Sequence, residues 1–445
     1  MEAHKAAWTK VLAQKELLPN AFGSFDFDAI PARFTTELEV PSILRSRNPA
    51  KRKRILADTN LIELIHAYTL MGDPPADAYA ALMGKYPFRR LVEMLGDACD
   101  KGVGAVAEAP AELGAFIAHM ERKPEWLDMR LVEQGATVAR NFTANVLPMT
   151  VRGSFLWTFL NTYAGRPMVL TGTLSNNTAG RRARETLNFF LLTALPGALE
   201  RDAPGFKAAA MIRLMHSMVR INIMRRPEHW DVGVYGFPVP QIDQMPAGMA
   251  FMQLLSQRAL KQGRSTFTSA ERAEVEFSRY RCYLLGLPED LLPTEPQAII
   301  EILSARAATL RAGFDDATDG ALVRATLAGT IFTGDRLRDR VFQTIERGFA
   351  GVYMVDDFFR GDFEEARKMG VAVTTKDRLL SLAAKSHLAI QTGAFALARK
   401  ISFLREPADR LLISRIKKTL EALGETHFET DLQKYQSAMQ DKKAA

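Results

Sequence analysis

At 445 residues, 47% of them hydrophobic and 24% charged, the chain has the composition of a folded globular protein. It is long enough for one large helical domain or for two or three smaller ones. Its net charge of +7 is mild over this length and favours acidic partners or anionic membrane surfaces. The two cysteines, Cys99 and Cys282, exclude a disulfide framework and zinc-type spacing and read as buried thiols. The N-terminal stretch has an early acid and no apolar h-region, and no run reaches the length that spans a bilayer. These features predict a soluble, cytoplasmic protein.

Residues 1–50 mix short helix signals with Phe, Pro and Gly and read as an N-terminal arm. The basic run Lys51-Arg52-Lys53-Arg54 reads as a solvated loop or helix start. A helix is predicted over 57–71, stopped by Gly72-Asp73-Pro74-Pro75, with His66 as an ordinary core or surface histidine. Helices follow over 75–85, 88–101, 111–122 and 126–145. The apolar run 154–163 predicts a buried helix broken by Gly165-Arg166-Pro167. A polar turn over 175–180 precedes a helix over 181–194. The next helix, 206–224, ends at Arg226-Pro227, and 231–240 reads as a Gly/Pro-rich loop with His229 in the turn before it. Thr266-Phe267-Thr268-Ser269 caps a helix from 270 to about 285, and further helices cover 296–312, 317–329, 335–350, 375–400 and 406–423. Alternating strand patterns, repeats and long polar linkers are missing. The expectation is an all-α protein: an arm over 1–50, a single domain over 51–430 and a tail over 431–445.

Two helices break the rule for core helices. On 206–224, stepping about 100° per residue brings Arg213, His216 and Arg220 onto one mostly apolar face. Buried guanidinium groups need anions. A dianionic ligand that also takes an imidazole, such as haem, satisfies all three; a satisfied core histidine between snorkelling arginines does so too. On 181–194, Arg182, Glu185 and Thr186 share a face that Phe189 extends. That face suits either a mostly apolar pocket with a few polar groups or an exposed ion-paired helix. Met215 and Met218 read as core fillers, and the Asp356-Asp357 and Glu364-Glu365 pairs as surface. No CxxCH, HExxH, GxGxxG, GxSxG or phosphate-loop pattern sits at a fitting junction, which argues against common hydrolase and nucleotide-dependent classes.

Three ordered blocks carry a resemblance. They are Gly180-Arg181-Arg182-Ala183-Arg184-Glu185-Thr186, Arg213-Leu214-Met215-His216-Ser217-Met218-Val219-Arg220, and Gly236-Phe237-Pro238-Val239-Pro240-Gln241 followed by Asp243 and Phe251. Together, over about 150–295, they resemble the MpaB-type and latex-clearing-protein family of haem b oxygenases. The resemblance implies a globin-like helical core with one non-covalent haem b and His216 as proximal iron ligand. It also implies Arg213 and Arg220 at the propionates and Phe189 beside the cofactor. Arg182, Glu185 and Thr186 become the catalytic candidates, with Thr186 holding Glu185 by a hydrogen bond. Latex-clearing proteins have a lysine before that threonine where this chain has Glu185, and 166–180 holds no Asp or Glu to match the family's upstream acid. Glu185 therefore stands as the acid–base candidate. The implied reaction is cleavage of a C=C bond by O2 in an apolar, isoprenoid-like or otherwise unsaturated substrate. A haem-dependent hydroxylase or peroxidase-like oxidase and a haem sensor or carrier are the alternatives. Basic residues are not interleaved with aromatics, which counts against a nucleic-acid partner. Without a transmembrane segment, any membrane contact is expected to be peripheral.

Overall fold

The computed structural model describes residues 3–46, 48–171, 176–226, 228 and 230–424. His229 and the tail over 431–445 lie outside them. The all-α expectation holds: among the described residues the extended pairings are two isolated bridges, Phe34 with Leu310 and Ser42 with Arg311. No described helix is long and apolar enough to cross a membrane. The packing resolves two compact units, each built from two stretches of chain. Unit 1 comprises Met1–Gly135 and Leu199–Gly313, and unit 2 comprises Ala136–Ala198 and Phe314–Ala445. Helices pair across sequence separations that no local pattern reveals, so the division has no linker to mark it.

In unit 1, the expected arm begins as a helix, Ala3–Leu17, packed on Thr59–Thr69, whose N-terminus is capped by the Asp58 carboxylate. Pro204–Met224 packs on Pro74–Ala81 and Phe88–Lys101, and Pro74–Ala81 in turn on Ala111–Glu121. Ser269–Leu284 starts with a full capping box, Thr268 and Glu271 each closing on the other's backbone N–H. Its Ala273 carbonyl approaches Gly135 so closely that a Cβ there would lie 1.9 Å away. The basic run does start a helix, Pro49–Leu56, but Arg52 points inward, donating to the backbone carbonyls of Val40 and Ala308. His66 is a core histidine, stacked on Phe34 with ring centroids 4.5 Å apart.

In unit 2, two sequence expectations are corrected. Gly165-Arg166-Pro167 does not break a helix. The chain breaks earlier, between Leu147–Phe159 and Thr162–Leu170, where the Asn161 side chain caps the new helix. Pro167 then sits in the second turn, where it removes a single backbone bond. The polar segment before Arg181 is not a turn either: the helix already runs from Asn176 to Thr193. Gly180 lies within it because the backbone of Thr330 passes there, 2.6 Å from where a Cβ would stand. Around these helices pack Ala321–Ala328, Leu337–Tyr353, Thr375–Ala398 and Ser402–Leu423. The core of the unit centres on Leu156, Val323, Met354, Val355 and Phe359.

One buried ion pair pins Leu147–Phe159 to Leu337–Tyr353. Arg152 donates from Nε and Nη2 to the Glu346 carboxylate at 2.7–2.9 Å and from Nη1 to the Gly329 carbonyl at 2.8 Å. Burial raises the Glu346 pKa, against the pull of the guanidinium. Breaking such a pair leaves a buried charge uncompensated, whereas replacing both partners does not. Glu346→Ala is expected to cost about 3–5 kcal/mol in denaturant unfolding, and the double change Arg152→Met/Glu346→Leu to recover most of that loss.

Candidate functional site

The helix Pro204–Met224 carries the first constellation. Seven residues apart, Arg213 and Arg220 lie within about 20° of each other around the axis, while His216 lies about 40–60° off that line. The separation shows in burial: both arginines are fully buried and His216 is half-buried. Ile212 and Val219, one turn before and after His216, are also half-buried, so the imidazole stands in an apolar stripe at the edge of the inward face.

The arginines have anions, as burial requires, and these are carboxylates of unit 1 itself. Arg213 forms a two-pronged pair with Asp73, Nε to Oδ2 at 2.7 Å and Nη2 to Oδ1 at 2.6 Å. Arg220 pairs through Nη1 with Asp77 and donates from Nε to the Pro238 carbonyl at 3.1 Å and from Nη2 to that of Val239. Phe116 lies under the first guanidinium and Phe237 under the second. Sequence reasoning read Asp73 as part of a helix stop and passed over Asp77. The signal was available: two aspartates one helical turn apart, facing two arginines two turns apart.

The cluster sets its members' protonation. Desolvation opposes ionisation of Asp73, yet Arg213 holds its pKa below the usual carboxylate range. Burial raises Asp77 to about 6, with Arg220 opposing and the Asp73 charge adding to the rise. His119 completes the cluster, its Nδ1 3.4 Å from Arg213 Nη2. Burial first, then the charge of Arg213, lowers its pKa to about 4.

The third sequence block closes over the same cluster. Gly236 takes a φ of 67° and sits so close to Pro31 that a Cβ would lie 2.9 Å from its ring. This turn buries Phe237 completely and presents the Pro238 and Val239 carbonyls to Arg220. Asp243 accepts from Arg33 Nη2 at 2.8 Å and Arg306 Nη2 at 2.9 Å, which keeps it ionised despite burial. Phe251 faces the buried Arg281 guanidinium at 5.7 Å.

The second constellation belongs to unit 2, on Asn176–Thr193. Arg182 Nη1 donates to Glu185 Oε2 at 2.9 Å, and Arg181 Nε stands 3.8 Å from the other oxygen. The Arg182–Glu185 pair is half-buried rather than fully solvated. Thr186 does not hold Glu185. Its hydroxyl donates back to the Arg182 carbonyl at 3.0 Å, as threonine hydroxyls inside helices commonly do. Phe189 is buried, edge-on to Phe190 with centroids 5.6 Å apart. Met215 and Met218 are core residues, and Cys99 and Cys282 are buried thiols whose pKa burial raises to about 12. Asp356, Asp357, Glu364 and Glu365 are exposed, as expected.

The buried histidine yields a pH test. A base whose pKa is lowered on folding contributes stability that is complete above its unfolded value near 6.5 and is lost as pH falls through about 4. The stability difference between the wild type and His119→Gln is therefore expected to shrink by on the order of 3 kcal/mol between pH 6.5 and 4, read from denaturant midpoints.

Comparison with known proteins agrees with the three ordered blocks. No curated protein matches the chain. The structure is similar to that of latex clearing protein in its closed state, with a TM-score of 0.52 and 17% identity over 78% of this chain and 91% of that one. Residues 153–358 match the catalytic-domain model described as ER-bound oxygenase mpaB/B′/rubber oxygenase. That match takes in all three blocks, and over those residues the chain is similar to the mpaB/rubber oxygenase catalytic domain.

Proposed function

We propose that this chain is a haem b-dependent oxygenase that uses O2 to cleave a C=C bond in an apolar, isoprenoid-like or otherwise unsaturated substrate, leaving two carbonyl groups. One observation carries the reading: His216, in the middle of a helix anchored by two buried ion pairs, stands in an apolar stripe between Ile212 and Val219. An imidazole on a fixed apolar surface suits haem: His216 would hold the iron, and Ile212 and Val219 would lie beside the macrocycle. Bound haem supplies the redox-active iron for dioxygen chemistry.

For Arg213 and Arg220 the ion pairs support a part beside the propionate contact that the resemblance implies. Their bonds to Asp73, Asp77 and two backbone carbonyls support a part as positioning residues that fix the rotation and height of the His216 helix. In unit 2, Glu185 is the proton acceptor, held by Arg182 and Arg181. Arg182 orients that carboxylate and lends positive charge beside it. Thr186, bonded to the helix backbone, leaves both Glu185 oxygens to the arginines, and Phe189 adds apolar surface one turn further on.

The visible spectrum of the purified protein, ferric and dithionite-reduced, tests the cofactor. A strong Soret band is expected in the wild type and a lost or greatly weakened one in His216→Ala; a wild type that stays colourless after haem is added sinks the reading. Oxygen uptake with an unsaturated isoprenoid tests the acid–base role. Glu185→Gln is expected to keep the Soret band and lose about a hundredfold or more in turnover.

A further inference from the structure

The helix Thr375–Ala398 is amphipathic in the wrong sense. It packs on Leu337–Tyr353 through a narrow strip of Ser381, Ala384 and half-buried Leu388, against Phe349 and Met149. Four of its larger apolar residues point the other way, while Leu380 and Phe395, like Leu388, are half-buried. Leu379, Leu382, Ile390 and Leu397 are 62–72% exposed, and Phe403, just past the helix end, is 76% exposed. At about 100° per residue the four lie within about 80° of arc, roughly opposite the packed strip. From Leu379 to Leu397 they mark a stripe about 27 Å long. Scattered exposed leucines need no explanation, but four large aliphatic side chains exposed on one arc of one helix, with only small residues and Ser386 between them, do.

The charge around the stripe identifies its partner. Between Thr375 and Leu423 there are ten Lys and Arg against four Asp and Glu, so this segment carries +6 of the chain's net +7. Lys376 and Lys400, both exposed, stand one turn before Leu379 and three residues after Leu397. Lys417 and Lys418 are exposed on the following helix. Two copies of such a segment would repel each other on approach, whereas an anionic surface would be attracted. An apolar face with basic residues at its borders is what lies in the plane of a lipid–water interface.

We infer that the exposed face of Thr375–Ala398, with Phe403, docks unit 2 on the surface of a bilayer containing anionic lipid. The aliphatic side chains enter the acyl boundary and the lysines meet the headgroup phosphates. Docking of this kind does not depend on what unit 1 binds, so it is measurable without turnover and without cofactor.

Co-sedimentation of the full chain with vesicles of phosphatidylcholine, alone or mixed with phosphatidylserine, tests the inference. The wild type is expected to partition onto the mixed vesicles at least about tenfold better than onto the neutral ones. Leu382→Glu/Ile390→Glu is expected to weaken that partitioning about tenfold or more. Both positions are exposed, so the thermal midpoint and far-ultraviolet circular dichroism should not change. Lys376→Glu/Lys400→Glu is expected to reduce binding to the anionic vesicles alone. Three results overturn the proposal: no binding by the wild type, equal binding to both vesicle types, or undiminished binding by the leucine–isoleucine variant. A dimer in sedimentation equilibrium that Ile390→Glu dissociates, without lipid binding, assigns the stripe to a second copy and also overturns it. Binding that appears only when residues 425–445 are removed assigns it to that segment, with the same consequence.

Discussion

Everything proposed for unit 1 depends on two guanidinium–carboxylate pairs placed where water does not reach. Arg213 with Asp73 and Arg220 with Asp77 tie the helix Pro204–Met224 to the start of Pro74–Ala81 at two points, two turns apart. Apolar packing alone fixes a helix's rotation and height only loosely, since such contacts have little direction. A paired fork cannot, because its hydrogen bonds weaken steeply with angle. The two pairs therefore act as registration pins, and His216 lies between them along the helix. Asp73 stays ionised and Asp77 is pushed up to about 6, so the pins differ in their tolerance of acid.

Unit 2 uses the same chemistry for a different purpose. Arg152 and Glu346 sit in its interior with every guanidinium nitrogen engaged, and they lock two helices rather than present a residue. The Arg182–Glu185 pair on Asn176–Thr193 is the contrasting case. It is local, half-buried and held by one short bond, so its carboxylate keeps partial exposure. Buried pairs thus build the scaffold in both units, and the partly accessible pair is the one to which the proposed function gives the proton-accepting role.

Much of this was legible in the sequence, for identifiable reasons. Helix periods are local, so the all-α class and most element positions could be read directly. The face carrying Arg213, His216 and Arg220 was visible, and so was the demand for anions. What supplies them went unread: the spacing of Asp73 and Asp77 matches that of the arginines, but they lie some 140 residues away and nothing local joins the two pairs. Proline and glycine misled twice. Pro167 sits in a helix that Asn161 restarts, and Gly180 serves a close backbone passage rather than a turn. The partition of Thr186 was also hidden, since a hydroxyl's choice between a carboxylate and its own helix backbone depends on rotamer. The two-unit division escaped because it falls inside the helix Met129–Asn145, where no compositional change marks it.

Gly286 gives the registration pins a remote control. It takes a φ of 87°, and a Cβ there would stand 2.8 Å from Asp73 Oδ2 and 2.9 Å from Arg213 Nε. The first pin is thus closed off by a missing carbon. Any side chain at that position would push on the ion pair itself, and through it on the height of the helix, by tenths of an ångström. A lineage could retune the setting of His216 by drift in a loop that never touches it, leaving every residue of the three recognisable blocks unchanged.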